Sequence, residues 1–237
     1  MIPAAFGSAW TATWPAADYT RAGGFLVGRG AGGGGRVSAA RAVGPWRGPD
    51  IAAAEACHRA WGQPALFAVD ARDAALAKTL AARGYRQADP TVILSAPVAP
   101  LAEPPIPPVT AMECWPPLAI QRDLWAQTGI GPARQAIIDW AEGPKAAILG
   151  RTQDRAAGVA FVAVQEQVAM LHALAVLPEW RGRGLAGWMV RRAARFAQAR
   201  GAEEMGLAVG RSNAPAQRLY DRLGFAEIGA YAYWRRD

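Results

Sequence analysis

Between Lys145 and Gln198 the hydrophobic period of the chain changes once, and the change brackets a run of arginines and glycines. "KAAILGR", "AGVAFVAVQ" and "VAMLHALAV" are short apolar runs with β-branched residues, separated by the polar turns "TQDRA" and "EQ". Such runs predict three neighbouring strands of an antiparallel meander. From Leu185 the pattern turns helical. Leu185, Trp188, Met189, Ala193 and Phe196 recur at three- and four-residue spacings, Arg191, Arg195 and Arg200 lie elsewhere around the helix, and Gly201 is a stop signal. The segment between, "PEWRGRGLAGW" at 178–188, joins strand to helix through closely spaced glycines.

The rest of the second half fits the same layered plan. "VTAMECW" reads as a strand, and the stretch up to Gly143 as two short helices broken at Gly129 to Pro132. "EMGLAVG" is a further strand. "SNAPAQRLYDRLGF" is a helix with a polar cap at Ser212 or Asn213, an early Pro215 and a closing Gly224. "AEIGAYAYW" reads as a final strand pair. Strands on both sides of helices in mixed order predict an α/β, or α+β, layered fold.

The proline-rich "APVAPLAEPPIPPVT", residues 96–110, reads as an interdomain linker, because proline removes backbone donors and favours extended chain. It divides the chain into residues 1–98, a connection at 99–110, and a second domain over 106–237. The first half echoes the second: "RDAALAKTLAARGY" superposes on "SNAPAQRLYDRLGF" at an offset of 140 residues, matching Gly84 to Gly224 and Tyr85 to Phe225. Two related domains in tandem follow as an expectation. Leu80 stands opposite Tyr220 and Asp73 opposite Asn213, so the first domain lacks the tyrosine and asparagine of the second.

With 237 residues, 52% of them hydrophobic, the chain can bury a substantial core. No apolar stretch approaches a membrane span, and "MIPAAFGSAW" lacks the features of a signal peptide, so a cytoplasmic protein is expected. Cys57 and Cys114 stand alone, without zinc-site spacing or disulfide density, and no metal is expected. The net charge of +7 raises the question of nucleic acid. The arginines are spread over both halves, Lys78 and Lys145 are the lysines, and no basic block is present, which argues against a nucleic-acid partner.

The glycines at 182, 184 and 187 permit two readings. Glycines between a strand and a helix let main-chain N–H groups converge on a phosphate, aided by the helix dipole. Spaced G-x-G-x-x-G, they match a dinucleotide loop, which needs its first glycine directly after the strand and an acid at the end of the next strand. "LPEWR" intervenes here, and Glu203 and Glu204 begin the next strand instead of ending it. A second match, "GRGAGGGG", lacks a following helix and reads as a hairpin loop between "GGFLVGR" and "RVSAARA".

The same letters contain R-x-x-G-x-A, Arg181 through Gly184 to Ala186. "LHALAVLPEWRGRGLAGWMVRRAARFA" followed by "GLAVGRSNAPAQRLYDRLGF" resembles the GNAT superfamily of N-acetyltransferases, over residues from about 106 onward and most strongly over 171–225. The resemblance implies two tandem GNAT-like domains, each a mixed, mainly antiparallel sheet flanked by helices, the N-terminal one degenerate. It implies that Arg181, Gly182, Arg183, Gly184, Leu185 and Ala186 hold the pyrophosphate of acetyl-CoA. The main chain from Leu174 to Val176 would serve the pantetheine and thioester, Asn213 the family's helix-cap position, and Tyr220 its general acid.

Acetyl transfer to an amine needs a neutral amine, a polarised carbonyl and a protonated leaving sulfur. A phenol suits the last task, hence Tyr220. His172, four residues before Val176, and Glu179, at the strand's exit, are the candidate bases, acting directly or through water. Neither cysteine lies in the motif region, so direct transfer in a ternary complex is expected. The alternative is a CoA-binding or sensing module that transfers nothing. The sequence leaves the amine acceptor and the oligomeric state open.

Overall fold

The computed structural model describes residues 4–236, which pack as two compact units. The larger comprises the chain up to Trp14, Ile93–Val209 and Asn213–Ile228; the smaller comprises Pro15–Val92, Gly210–Ser212 and the segment from Gly229. The change of unit therefore falls at Val92/Ile93, inside a strand, rather than near residue 98. Both ends of the chain also pack away from the halves that contain them in sequence. At the N-terminus the reason is apolar burial: helix α1 (Ala4–Thr13) and the residue after it bury Phe6, Trp10 and Trp14 in the larger unit. No helix among the described residues is long and apolar enough to cross a membrane.

In the larger unit the expected meander is present as β7 (Lys145–Thr152), β8 (Arg155–Gln165) and β9 (Val168–Val176), antiparallel throughout. Edge strand β6 (Ala111–Cys114) pairs with β7, while β10 (Glu204–Gly210) runs parallel to β9. The two predicted short helices are α6 (Ala119–Gln127) and α7 (Pro132–Trp140). Helix α8 (Leu185–Gln198) lays Leu185, Met189, Val190, Ala193 and Phe196 onto the sheet. Gly158 of β8 leaves the room for it: a Cβ there would stand 2.9 Å from Met189 Sδ. Helices α1 and α6 pack on β8 and β9.

The proline-rich stretch is not a free linker. Its start is helix α5 (Val98–Ala102), with Val98, Leu101 and Ala102 buried and the helix packed on α8. Closely spaced prolines leave carbonyls with few backbone donors, and arginines of α8 supply the donors instead. Arg195 donates to Ala102 O and Pro104 O, both at 2.9 Å, Arg191 to Leu101 O at 3.3 Å, and Arg192 to Ala111 O at 3.0 Å. Part of the chain's positive charge is thus spent on internal acceptors.

The smaller unit contains β1 (Asp18–Ala22), β2 (Phe25–Arg29), β3 (Ala40–Ala42), β4 (Leu66–Asp70) and the part of β11 (Ala226–Arg235) from Gly229 onward, in that spatial order. The expected final strand pair is thus one strand. The "GRGAGGGG" loop closes the antiparallel β2–β3 hairpin and ends in a helical turn, α2 (Gly35–Ser38). Helices α3 (Gly48–Ala60) and α4 (Ala74–Ala82) contribute Ile51, Ala54, Leu76 and Leu80 to a core with Phe25, Val27 and Phe67. Strand β5 (Arg86–Pro97) passes from this unit to the larger one.

Candidate functional site

Strand β9 changes character half way along. Its ladder with β10 pairs Val168–Met170 with Glu204–Gly206, and among the described residues it goes no further. Its ladder with β8 continues but slips: Phe161 faces His172 and Val159 faces Ala175, so Ala173 and Leu174 share one partner residue. This is a β-bulge, with Ala173 at φ +51°, a conformation uncommon without glycine. The Trp125 indole N–H of α6 donates to Ala173 O at 2.9 Å and holds the displaced carbonyl. The first five residues of β9 are buried and the last four are half-buried.

The bulge also separates side chains that simple alternation would put together. His172 lies on the face of α1, its ring 5.0 Å from that of Trp14 and 6.1 Å from that of Phe161. Its Nε2 is 2.9 Å from Thr13 Oγ1, and that hydroxyl donates to Ala9 O at 2.6 Å. Val176 points to the opposite face: a Cβ on its partner Gly158 would meet both Val176 and Met189 of α8. Leu174, two residues before Val176, shares that face.

Beyond β9 a 3₁₀ turn (Pro178–Trp180) leads through extended Arg181 to Gly182 at φ +75° and Gly184 at φ +79°, the cap of α8. No side chain caps the helix. Gly184 O accepts from Gly187 N at 3.0 Å, and the N–H groups of Leu185 and Ala186 precede any helical acceptor. A Cβ on Gly182 or Gly184 would meet nothing within 4 Å. The glycines are therefore required by backbone conformation, and open space lies over the helix start. The flanking cations are exposed. Arg181 Nε donates to Val176 O at 3.0 Å, and the Arg183 guanidinium stacks on Trp180 at 4.8 Å. A cavity of about 280 Å³ adjoins the turn, lined by Arg183, Leu185 and Trp188 with Arg151 and Asp154. Free N–H donors, the positive end of a 14-residue helix and two arginines fit a diphosphate group.

Helix α9 (Ala214–Arg222) carries the remaining candidates and lies beside this helix start: a Cβ on Gly187 would stand 3.9 Å from Leu219 Cδ1. Tyr220 is buried against Phe225, ring centroids 5.5 Å apart, and burial alone raises its pKa well above the ordinary phenol value. Asn213 is exposed, and its side chain accepts from Ala216 N at 3.2 Å, so it caps the helix. Glu179 is exposed in the 3₁₀ turn. The internal echo is visible in the geometry. Asp73 caps α4 at φ −87°, ψ 69°, where Asn213 has −86° and 67°, and the stop glycines have φ +83° at Gly84 and +82° at Gly224. The structure adds Trp125 and Thr13 as supports of β9. Neither residue carries a local signal for that role in the sequence.

A bulged strand that parts from its parallel neighbour thus runs into an arginine–glycine turn at an open helix N-terminus. Residues 111–225 match the sequence profile of the acetyltransferase (GNAT) family, and the chain carries a GNAT-family acetyltransferase domain. An uncharacterized N-acetyltransferase of Methanocaldococcus jannaschii is 36% identical over 72 residues, 30% of this chain; the match spans about a third of that relative's length. Among solved structures, a GCN5-related N-acetyltransferase from Kribbella flavida superposes with a TM-score of 0.72 at 17% identity, covering 98% of this chain and 93% of its own. A tandem GNAT protein from the clavulanic acid biosynthesis pathway gives 0.60 at 17% identity, covering 83% and 74%. These likenesses establish the fold, mixed α/β with a mostly antiparallel sheet flanked by helices.

Proposed function

We infer that the larger unit is an N-acetyltransferase domain that takes acetyl-CoA and an amine and transfers the acetyl group directly, in the cytoplasm. The observation that carries this reading is the open start of α8, where left-handed Gly184 exposes the Leu185 and Ala186 N–H groups beside Arg181 and Arg183. These groups would hold the diphosphate. The edge of β9 from Leu174 to Val176, past its ladder with β10, offers main-chain partners for an extended amide-bearing arm in the manner of an added strand, with Val176 O already accepting from Arg181.

Tyr220 is the proton donor to the leaving sulfur. Its raised pKa keeps the hydroxyl protonated across the neutral and mildly alkaline range, the state in which it can donate. For the base we favour Glu179, which is exposed at the exit of β9 and can receive the amine proton directly or through water. His172 is buried between aromatic rings with Nε2 directed to Thr13, a setting that suits holding α1 to the sheet. Asn213 orients α9 through its cap. The smaller unit is read as a related domain in tandem, without the arginine–glycine turn; the matched caps of α4 and α9 support this.

Calorimetric titration with acetyl-CoA tests the assignment before the acceptor is known. Saturable binding that is lost in Gly184→Glu is the expected result. Equal binding by that variant overturns the site, and binding without transfer to any amine in a broad panel leaves a CoA-sensing module as the function.

A further inference from the structure

The smaller unit holds a cluster that acetyl transfer does not use. Across its sheet the registers align Leu26, Arg41, Ala68 and Tyr233 on adjacent strands β2, β3, β4 and β11. Their neighbours Phe25, Val27, Ala40, Phe67 and Val69 fill the core beneath α3 and α4, so this row lies on the opposite face. Ala68 between them is small, and the Tyr233 ring lies against Gly35 of α2, where a Cβ would stand 3.1 Å from its Cζ. Tyr231 follows two residues along on the same face, its hydroxyl 3.3 Å from that of Tyr233. Tyr19 stands opposite Gly28, and its hydroxyl oxygen accepts from Ala16 N at 2.9 Å, leaving its proton to donate elsewhere. Arg36 of α2 is close enough to act electrostatically on both Arg41 and Tyr233.

Arg41 is the unusual member. Among the described residues its guanidinium makes no hydrogen bond and no ion pair, and the charges felt by it come from the three tyrosines and Arg36, with no carboxylate. Asp70, opposite Tyr231, is engaged by Arg72 at 2.6 Å. Burial is the largest influence on Arg41 and lowers its pKa, as does Arg36. Arg41 is half-buried, and a partly desolvated guanidinium with no acceptor of its own is a ready ligand for an anion. The guanidinium fork matches a carboxylate or phosphate, and the tyrosine hydroxyls supply further donors. Burial also keeps Tyr233 protonated and able to donate.

We propose that Arg41 and Arg36, with the hydroxyls of Tyr19, Tyr231 and Tyr233, form a binding site for a compact oxyanion, a carboxylate or phosphate group. The phosphate titration is independent of the acetyltransferase reading, because it needs no turnover; the effector arm below rests on that reading. Inorganic phosphate titrated into the full chain, followed by the arginine Nε–H resonances, should saturate. Arg41→Gln should weaken it by about tenfold or more and leave acetyl-CoA binding unchanged. Tyr233→Phe keeps the ring and should weaken it by a smaller factor; it serves as the test if Arg41→Gln fails to fold. Phosphate affinity unchanged in the folded variants, or abolished by Gly184→Glu alone, overturns the proposal. Two arms separate the sources of the anion. If it is a group on a larger molecule, a phosphomonoester or carboxylic acid displaces phosphate from the full chain at lower concentration, and this advantage is lost in Arg41→Gln. If it is a free effector, the variant instead abolishes the response of neutral-amine turnover to added phosphate.

Discussion

Gly184→Ala separates the backbone role of the turn from its binding role. Gly184 sits at φ 79°, ψ −5°, and an added Cβ meets nothing within 4 Å, so the substitution introduces conformational strain and no clash. An L-residue in the left-handed region costs about 1–2 kcal/mol. The smaller entropy of the unfolded alanine chain returns about 0.4–1 kcal/mol. The net loss is about 1 kcal/mol, which for a chain of this size lowers Tm by about 2–4 °C. Relief of the strain rotates the Leu185 and Ala186 N–H groups away from their common focus, and the methyl enters the space an anion would fill. Acetyl-CoA affinity should therefore fall by about tenfold or more, a penalty of about 1.4 kcal/mol. Thermal unfolding by circular dichroism and calorimetry on the same preparation measure both quantities. A Tm drop beyond about 10 °C would show the turn to be core packing. The small Tm drop with unchanged acetyl-CoA affinity would refute the anion-cradle argument.

Tyr220→Phe keeps the contact with Phe225 and removes the proton donor; steady-state kinetics should show kcat lower by about 10²-fold or more, with little change in acetyl-CoA affinity. Tyr85, Tyr220 and Tyr233 all have pKa values raised by burial. Below the ordinary phenol value near 10 both folded and unfolded states hold these protons; above it the unfolded chain releases them first. Their contribution to stability should therefore be flat up to about pH 10 and fall beyond it, with phenolate absorbance rising together with the loss of structure. Arg195→Ala leaves the carbonyls of Ala102 and Pro104 without their donor and should cost about 2 kcal/mol in urea unfolding, with faster proteolysis after residue 102. Gly206→Ala places a methyl 2.6 Å from Phe6 Cε1 and 2.7 Å from Met170 Sδ, and should destabilise by about 1–3 kcal/mol in the same assay.

The elements whose signal is local were legible in the sequence. The meander, α8, the Asn213 cap and the Gly224 stop follow from apolar spacing and terminal residues, and each stands within a residue or two of its expected place. The arginine–glycine turn was legible as a tight strand-to-helix connection, and the structure gives its Gly182 and Gly184 the left-handed conformation that suits glycine. What escaped depends on partners distant in sequence. The prolines at 97–108 carry a strong local signal for extended chain, but arginines some 90 positions away satisfy their carbonyls and dock the segment. The β9 bulge falls on Ala173, with neither glycine nor proline to mark it. The ends of the chain exchange units because α1 and the later part of β11 find complementary surfaces there, and composition does not encode that choice.

The bulge has a consequence for how the site can vary. One extra residue acts as a phase shift: upstream of Ala173 even-numbered positions such as His172 face α1, and downstream the even-numbered Val176 faces α8. The two halves of one strand therefore answer to different neighbours. Substitutions that reshape the α1 face can accumulate without disturbing the stretch that runs into the glycine turn, so the two ends of the strand are free to change independently.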